Sequence, residues 1–330
     1  MTAAQEEMML KGNAQAATGW KAWSVKKRMF LIGSVLLVIA LGIGLGVGLG
    51  VGLNQGGGGG GGGGGGEGDD GGEVPPTSGG GVTTAKWQPA VATKWQIELL
   101  YALNDTSVDA DIYDIDLFNN EKSVIDNLHS QNRKVICYFS AGSYENWRPD
   151  KDQFKDSDLG KTMDGWPDEK WLNLNSENVR KIMTSRLDMA AKKNCDGVDP
   201  DNVDGYDNDN GLDLKKADSI NFMLWLANEA HARNMSIGLK NAGAIIPAVI
   251  DNMQWSVNEQ CAQFQECDTY AAFIDKNKPV FHIEYPKGDE TNNNVMVASS
   301  EVNKACDFSG SPKFSTVIKN MNLDNWIQTC

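Results

Sequence analysis

The chain has 330 residues, 41% of them hydrophobic and 22% charged, so much of it can bury a core, but 36 glycines are too many for one compact domain. Thirty basic residues against 44 acidic ones leave a formal charge of −14. That balance excludes a basic nucleic-acid footprint and leaves neutral or cationic partners open. Three histidines and no H-E-x-x-H argue against a zinc hydrolase, and no cofactor or metal is expected.

Residues 1–28 carry +3 and end in Lys26, Lys27 and Arg28. Residues 29–53 follow as 25 positions without a charge. As a helix they would reach about 37 Å, enough to cross a bilayer core of about 30 Å with some tilt. The positive-inside rule puts 1–28 in the cytosol, with Trp20 and Trp23 suited to the interfacial belt. The expected topology is a single-pass type II anchor in the plasma membrane, with everything after it extracellular. A cleaved signal peptide competes, but it needs a shorter apolar core and a small-residue cleavage site. Gly42, Gly46 and Gly50 form a small-residue stripe that would suit a weak helix dimer, or else mark a drift into the glycine tract. Residues 54–81 contain eleven consecutive glycines, Gly56 to Gly66. Without side chains to bury they read as a flexible tether, with a reach of roughly 25–30 Å.

Residues 82–330 hold −13 of the charge and all six cysteines. An even count beyond a membrane anchor predicts disulfides in an oxidising compartment. Cys261–Cys267 is the natural pair by proximity, and Cys306–Cys330 would tie down the C-terminus. Cys137 lies in an apolar run and reads equally as a buried thiol. Asn104 and Asn234 open N-glycosylation sequons, in keeping with that compartment.

Short β-type runs alternate with helical ones through this region. Strands are predicted over 95–103, 111–118, 134–142, 195–201, 236–241, 254–259, 279–285 and 314–320. Helices are predicted over 175–194, capped by Ser176, and over 213–234, with Ile220, Met223, Leu224 and Ala227 as the buried stripe. Eight strands with helices between them in 249 residues predict an α/β fold, a (β/α)8 TIM-type barrel. A doubly wound open sheet is the rival, but no glycine-rich phosphate loop follows any strand. A barrel's active site lies where its strands end. Those ends offer Tyr138, Ser140 and Gly142, then Asp199, Asp201 and Asn202, then Lys240 and Asn241, then Glu259, and last Glu284 and Tyr285.

The segment 195–214 is rich in aspartate but has no EF-hand register, because Pro200 or Tyr206 would fall at the first ligand position. Asp207 and Asp209 read as a solvated acidic loop. Asp199 and Asp201 continue an apolar strand and fit that reading less well. Paired carboxylates over a barrel mouth suit glycoside hydrolysis, where one attacks the anomeric carbon and the other protonates the departing oxygen. Trp147, Trp166, Trp171 and Tyr206 are candidate platforms for sugar rings, while Trp87, Trp225 and Trp326 read as packing. There is no G-x-S-x-G elbow, which leaves a serine nucleophile unsupported.

The strings YFSAGSYENWRPD, GWPDEKWLN, GVDPDNVDGY, GLKN, VNEQC and IEY, in this order, resemble glycoside hydrolase family 114, the endo-α-1,4-polygalactosaminidases, over residues 86–330. The charge-free run and glycine tether are similar to its membrane-bound fungal members. The resemblance implies a (β/α)8 barrel that hydrolyses α-1,4-linked galactosamine in galactosaminogalactan-type polysaccharide. It implies Asp201 and Glu259 as the catalytic pair, with Asp201 as nucleophile and Glu259 as acid/base by analogy with retaining α-galactosidase-like barrels. Asp199, Asn202, Lys240, Asn241, Glu284 and Tyr285 would surround the sugar, with Tyr138, Ser140, Trp147, Trp166 and Tyr206 beside them. The expected partner is cationic or partly N-acetylated galactosamine polysaccharide, which a domain at −13 would attract. A carbohydrate-binding barrel without turnover, or an exo-acting α-galactosidase-like hydrolase, are the competing readings.

Overall fold

Alternation with period two builds the domain, and it works twice, once on each face of a rolled sheet. The computed structural model describes residues 84–289 and 291–330. The expected cytosolic segment 1–28, membrane anchor 29–53 and tether 54–81 lie outside the described residues. Among the described residues, no helix is long and apolar enough to cross a membrane.

In chain order the strands are β1 (Trp95–Glu98), β2 (Ile112–Asp116), β3 (Lys134–Ser140), β4 (Ser143–Glu145), β5 (Leu159–Met163), β6 (Trp166–Leu172), β7 (Gly197–Asp201), β8 (Ser236–Lys240), β9 (Trp255–Glu259), β10 (Val280–Glu284), β11 (Ser315–Lys319) and β12 (Ile327–Thr329). The helices are α1 (Lys122–Ser130), α2 (Glu177–Lys193), α3 (Lys216–Ala232), α4 (Ile246–Val249), α5 (Cys261–Phe264), α6 (Cys267–Asp275) and α7 (Ser299–Cys306). All eight expected strands form. They pair in parallel in the order β1-β2-β3-β7-β8-β9-β10-β11, and β12 adds antiparallel to β11. Side chains bridge the seam between β1 and β11. The Trp95 indole donates to the Ser315 carbonyl at 2.7 Å, and Lys319 Nζ to Gln96 Oε1 at 3.0 Å. The result is a nearly closed α/β barrel of the TIM type.

One set of alternate residues, among them Trp95, Ile97, Ile112, Ile136, Trp255, Val257, Phe281, Ile283 and Val317, fills the barrel interior. The intervening set, including Tyr113, Ile115, Val135, Cys137, Phe139, Val198, Ile237 and Leu239, packs outward against α1, α2 and α3. Trp255 is fully buried and lies across the neighbouring strands, because Gly197 and Gly238 leave room for it. A Cβ on Gly238 would stand 2.0 Å from the indole nitrogen. Burying one such ring contributes roughly 1.5–3 kcal/mol.

Ser176 caps α2 as expected, its hydroxyl accepting from the Asn178 N–H at 3.1 Å, and Asn194 ends the helix in the left-handed region. The buried face of α3 is rotated from the expected stripe. Phe222, Met223, Leu226, Ala227 and Ala230 are buried, while Ile220 and Leu224 are partly exposed. The helix is apolar on most sides, so periodicity alone does not pick the face. Two features go beyond the sequence reading. Strands β4, β6 and β5 form a separate three-stranded antiparallel sheet in the stretch of chain between β3 and α2, where the sequence offers candidate sugar platforms but no predicted strand. Cys137 is no free thiol: it is bonded to Cys195, alongside the expected Cys261–Cys267 and Cys306–Cys330. Residues 137 and 195 are far apart in sequence, but β3 and β7 are neighbours in the sheet, so their chains run side by side.

Candidate active site

Lys240 ends β8 pointing into the barrel, and it is 2% exposed. A buried ammonium needs carboxylate partners, and neighbouring strands supply two. Its Nζ lies 3.2 Å from Asp201 Oδ2 on β7 and 3.2 Å from Glu259 Oε2 on β9. Burial would lower the Lys240 pKa, but Asp201, Glu259 and Asp199 together hold it well above the usual lysine value. Both carboxylates keep some contact with solvent at the barrel mouth, with side-chain exposures of 17% and 24%.

Each is also fixed by neutral donors. Tyr138 on β3 donates its hydroxyl to Asp201 Oδ2 at 2.9 Å, and the Asn202 N–H donates to Oδ1 at 2.7 Å. Asn241 Nδ2 donates to Glu259 Oε2 at 3.0 Å, and the Tyr285 hydroxyl to Oε1 at 2.5 Å. Burial pushes Glu259 up, but Lys240, Tyr285 and Asn241 outweigh it and hold the carboxyl below its usual range. Both phenols are pushed well above the ordinary tyrosine value by burial and by the carboxylates they serve, and so remain donors. Gly142 allows the end of β3 to approach that of β7, since a Cβ there would meet the Asn202 carbonyl oxygen at 1.7 Å.

Asp201, Asn202, Tyr138, Lys240, Asn241, Glu259 and Tyr285 therefore converge as the sequence suggests. Ser140 is buried below them, its hydroxyl 2.5 Å from that of Ser143, and it accepts from Asn202 Nδ2 at 2.9 Å. Trp166 stands at the start of β6 and is 43% exposed, whereas Trp171 is buried. Trp147 and Tyr206 are half-buried on the loops after β4 and β7, and burial pushes the Tyr206 hydroxyl up to about 12. Asp207 and Asp209 are exposed, with Asp209 paired to Lys161 at 2.6 Å.

Glu284 departs from expectation. It shares a strand face with His282, opposite Ile283 and Tyr285, and so points out of the barrel. Its Oε1 accepts from the Ala262 N–H and from His282 Nε2, both at 2.9 Å, which caps the start of α5. Consecutive strand residues cannot both face the sugar. Asp199 does point inward, but both its oxygens are closed off from solvent. His282 lies close to the sulfurs of Cys261 and Cys267, but those cysteines are bonded to each other and do not offer thiolates to a metal.

Sequence reasoning passed over three acidic side chains. Asp114 on β2 faces Asp199, and its place in D-I-D (114–116), matching D-P-D (199–201), is a legible signal. Glu169 on β6 accepts from the Ser143 hydroxyl at 2.6 Å, and burial with Glu145 nearby pushes it up to about 8. Burial and Asp201 push Asp204 up to about 6. Arg148 braces the mouth from below, with Nη2 2.7 Å from Asp116 and 2.8 Å from Glu145.

The model of glycoside-hydrolase family GH114 matches residues 79–330. Among solved structures, Ega3 of Aspergillus fumigatus in complex with galactosamine is 76% identical, with a TM-score of 0.75, over 76% of this chain and 100% of that one. The glycoside hydrolase domain of PelA from Pseudomonas aeruginosa is 10% identical with a TM-score of 0.56, over 71% of this chain and 98% of that one, a likeness of fold alone. No curated protein matches.

Proposed function

The chain belongs to glycoside hydrolase family GH114, and from that premise we propose that it cleaves α-1,4-galactosaminidic bonds within galactosaminogalactan-type polysaccharide, with retention, through Asp201 and Glu259. The observation that carries the mechanism is the shared ammonium. Each carboxylate has an oxygen 3.2 Å from Lys240 Nζ, so those two oxygens lie no farther apart than twice that, about 6.4 Å. Inverting pairs stand roughly 6.5–9.5 Å apart to admit a water, and retaining pairs roughly 5–5.5 Å. The bound applies only to the oxygens that face Lys240; retention itself follows from the resemblance to retaining α-galactosidase-like barrels.

Asp201 attacks the anomeric carbon while the glycosidic oxygen leaves with a proton from Glu259, giving a glycosyl ester on Asp201. Glu259 then takes a proton from water, the water oxygen bonds to the anomeric carbon, and Asp201 departs as carboxylate. Lys240, Tyr285 and Asn241 favour the ionised form of Glu259 in the free enzyme, which suits the second, base-catalysed half. A sugar covering the mouth adds to the burial that opposes ionisation and so favours the proton needed in the first half.

Galactosamine bound to the 76% identical Ega3 supports the sugar class. The −13 charge of residues 82–330 supports a cationic polymer, and the endo mode of action follows from the family, with exposed Trp166 available to a sugar ring. Residues 29–53, with their basic flank, support a type II plasma-membrane anchor with the barrel outside the cell; protease added to intact cells should then release the barrel. The catalytic assignment is tested on partly deacetylated polygalactosamine. Asp201→Asn should abolish cleavage and spare binding. Glu259→Gln should fail on polymer and recover in part with a leaving group that needs no proton. Polymer hydrolysis near the wild-type rate in either variant would remove that residue from the mechanism, and a product of inverted anomeric configuration would overturn retention.

A further inference from the structure

Below the catalytic pair lies a second pair of carboxyls, Asp114 on β2 and Asp199 on β7, both fully buried. No N–H or O–H of any other described residue is within hydrogen-bonding distance of their four oxygens. The only hydrogen-bonding group left beside each is the other's carboxyl, both turned into the barrel from strands that flank β3. An ionised carboxylate only accepts, so a hydrogen bond between two carboxyls requires a proton between them. The charges around Lys240 require the same. Asp201 from β7, Glu259 from β9, and Asp114 and Asp199 all face this one ammonium from β8. Four buried anions around one cation would leave three charges uncompensated. Asp201 and Glu259 have phenol, amide and ammonium donors to stabilise them as anions, whereas Asp114 and Asp199 have only each other.

We propose that Asp114 and Asp199 share one proton and act as a positioning pair, which keeps the floor of the site near neutral so that Lys240 stays committed to Asp201 and Glu259. Burial acts in the same direction on both carboxyls, raising Asp199 to about 7 and Asp114 well above its usual value. Their oxygens are closed to solvent, so they act on the reaction through Lys240 and do not touch the sugar. Losing the shared proton would set two adjacent anions under Lys240 and draw its ammonium down from the catalytic pair. The pair therefore works as a protonation gate on the alkaline side.

The inference rests on the reading of Asp201 and Glu259 as the catalytic pair, and its test has a readout independent of turnover. Infrared difference spectra of wild type minus each variant, slightly alkaline of neutrality, should show the C=O stretch of a buried carboxylic acid, the acid of Glu169 being common to all and cancelling. Asp114→Asn and Asp199→Asn should each lose that band, because the amide takes the place of the shared proton. In Asp114→Asn the kcat/KM–pH profile should keep the first alkaline fall, set by Glu259, and lose the second, steeper fall above neutrality, since the pair can no longer become doubly charged. If one variant fails to fold, the other gives the same spectral readout. Absence of the band from the difference spectrum of either folded variant, or a second alkaline fall that persists in Asp114→Asn, would overturn the proposal. Inactive Asp201→Asn protein that keeps the band would leave the pair intact and separate the two readings.

Discussion

Replacing Lys240 with methionine is the sharpest perturbation of the site, because it removes the ammonium and keeps most of the volume. Two carboxylates then face each other across a buried space with no cation between them. Breaking a buried ion pair by deleting one partner costs about 3–5 kcal/mol. Here the partners keep 17% and 24% of their exposure, so water offsets part of that and the lower end applies. At about 2–4 °C per kcal/mol for a domain of this size, about 3 kcal/mol lowers Tm by roughly 6–12 °C. The lysine pKa is raised in the folded state, so this stability is fully present below the unfolded lysine value and is lost only as pH rises through the folded one. Scanning fluorimetry at neutral pH should therefore read the whole loss. Activity gives a second measure: without Lys240, burial dominates Glu259 and raises its pKa. A carboxyl of higher pKa keeps its proton to higher pH, so the alkaline limb of kcat/KM should move up while its maximum falls at least a hundredfold, about 2.7 kcal/mol of transition-state stabilisation. A Tm within about 2 °C of wild type, or an alkaline limb that stays in place, would refute the claim that Lys240 organises the pair.

Burial raises Glu98 and Asp199 to about 7, Glu169 to about 8 and Asp204 to about 6, so the folded chain holds protons that the unfolded chain releases near pH 4. Stability should fall as pH rises from about 4 to about 8, with Lys319, lowered to about 7, acting the other way only above that value; a Tm that climbs steadily over this range would contradict the burial argument. Replacing Cys137 and Cys195 together by alanine opens a crosslink spanning 58 positions, worth about 4 kcal/mol by loop entropy, and should lower Tm while leaving KM unchanged. Glu284→Gln should lower Tm by loosening the cap on α5 yet keep kcat within about threefold of wild type, a change of under 0.7 kcal/mol in the barrier; a hundredfold loss of kcat would return Glu284 to the sugar's surroundings.

The sequence by itself determined the strands, the capped helix α2 and the two shorter-range disulfides, because each rests on local chemistry. Alternating apolar residues, a serine before a helix and two cysteines six positions apart carry their own instructions. Its strand ends also gathered most of the residues that meet at the mouth, since parallel strands of a barrel all finish on one side. Only the tertiary structure decided which of them face one another. Glu284 and Tyr285 are adjacent in the chain, and the pleat sends one to cap a helix and the other to Glu259. Cys137 and Cys195 meet because β3 runs beside β7, with the β4–β6 sheet and α2 between them in sequence. Asp114 and Asp199 become one protonatable unit only because β2 and β7 flank β3 in the rolled sheet and both side chains turn into the barrel. Which inward side chains meet inside a barrel depends on strand order, tilt and curvature, which local periodicity does not encode, and burial then decides which carboxyls remain charged.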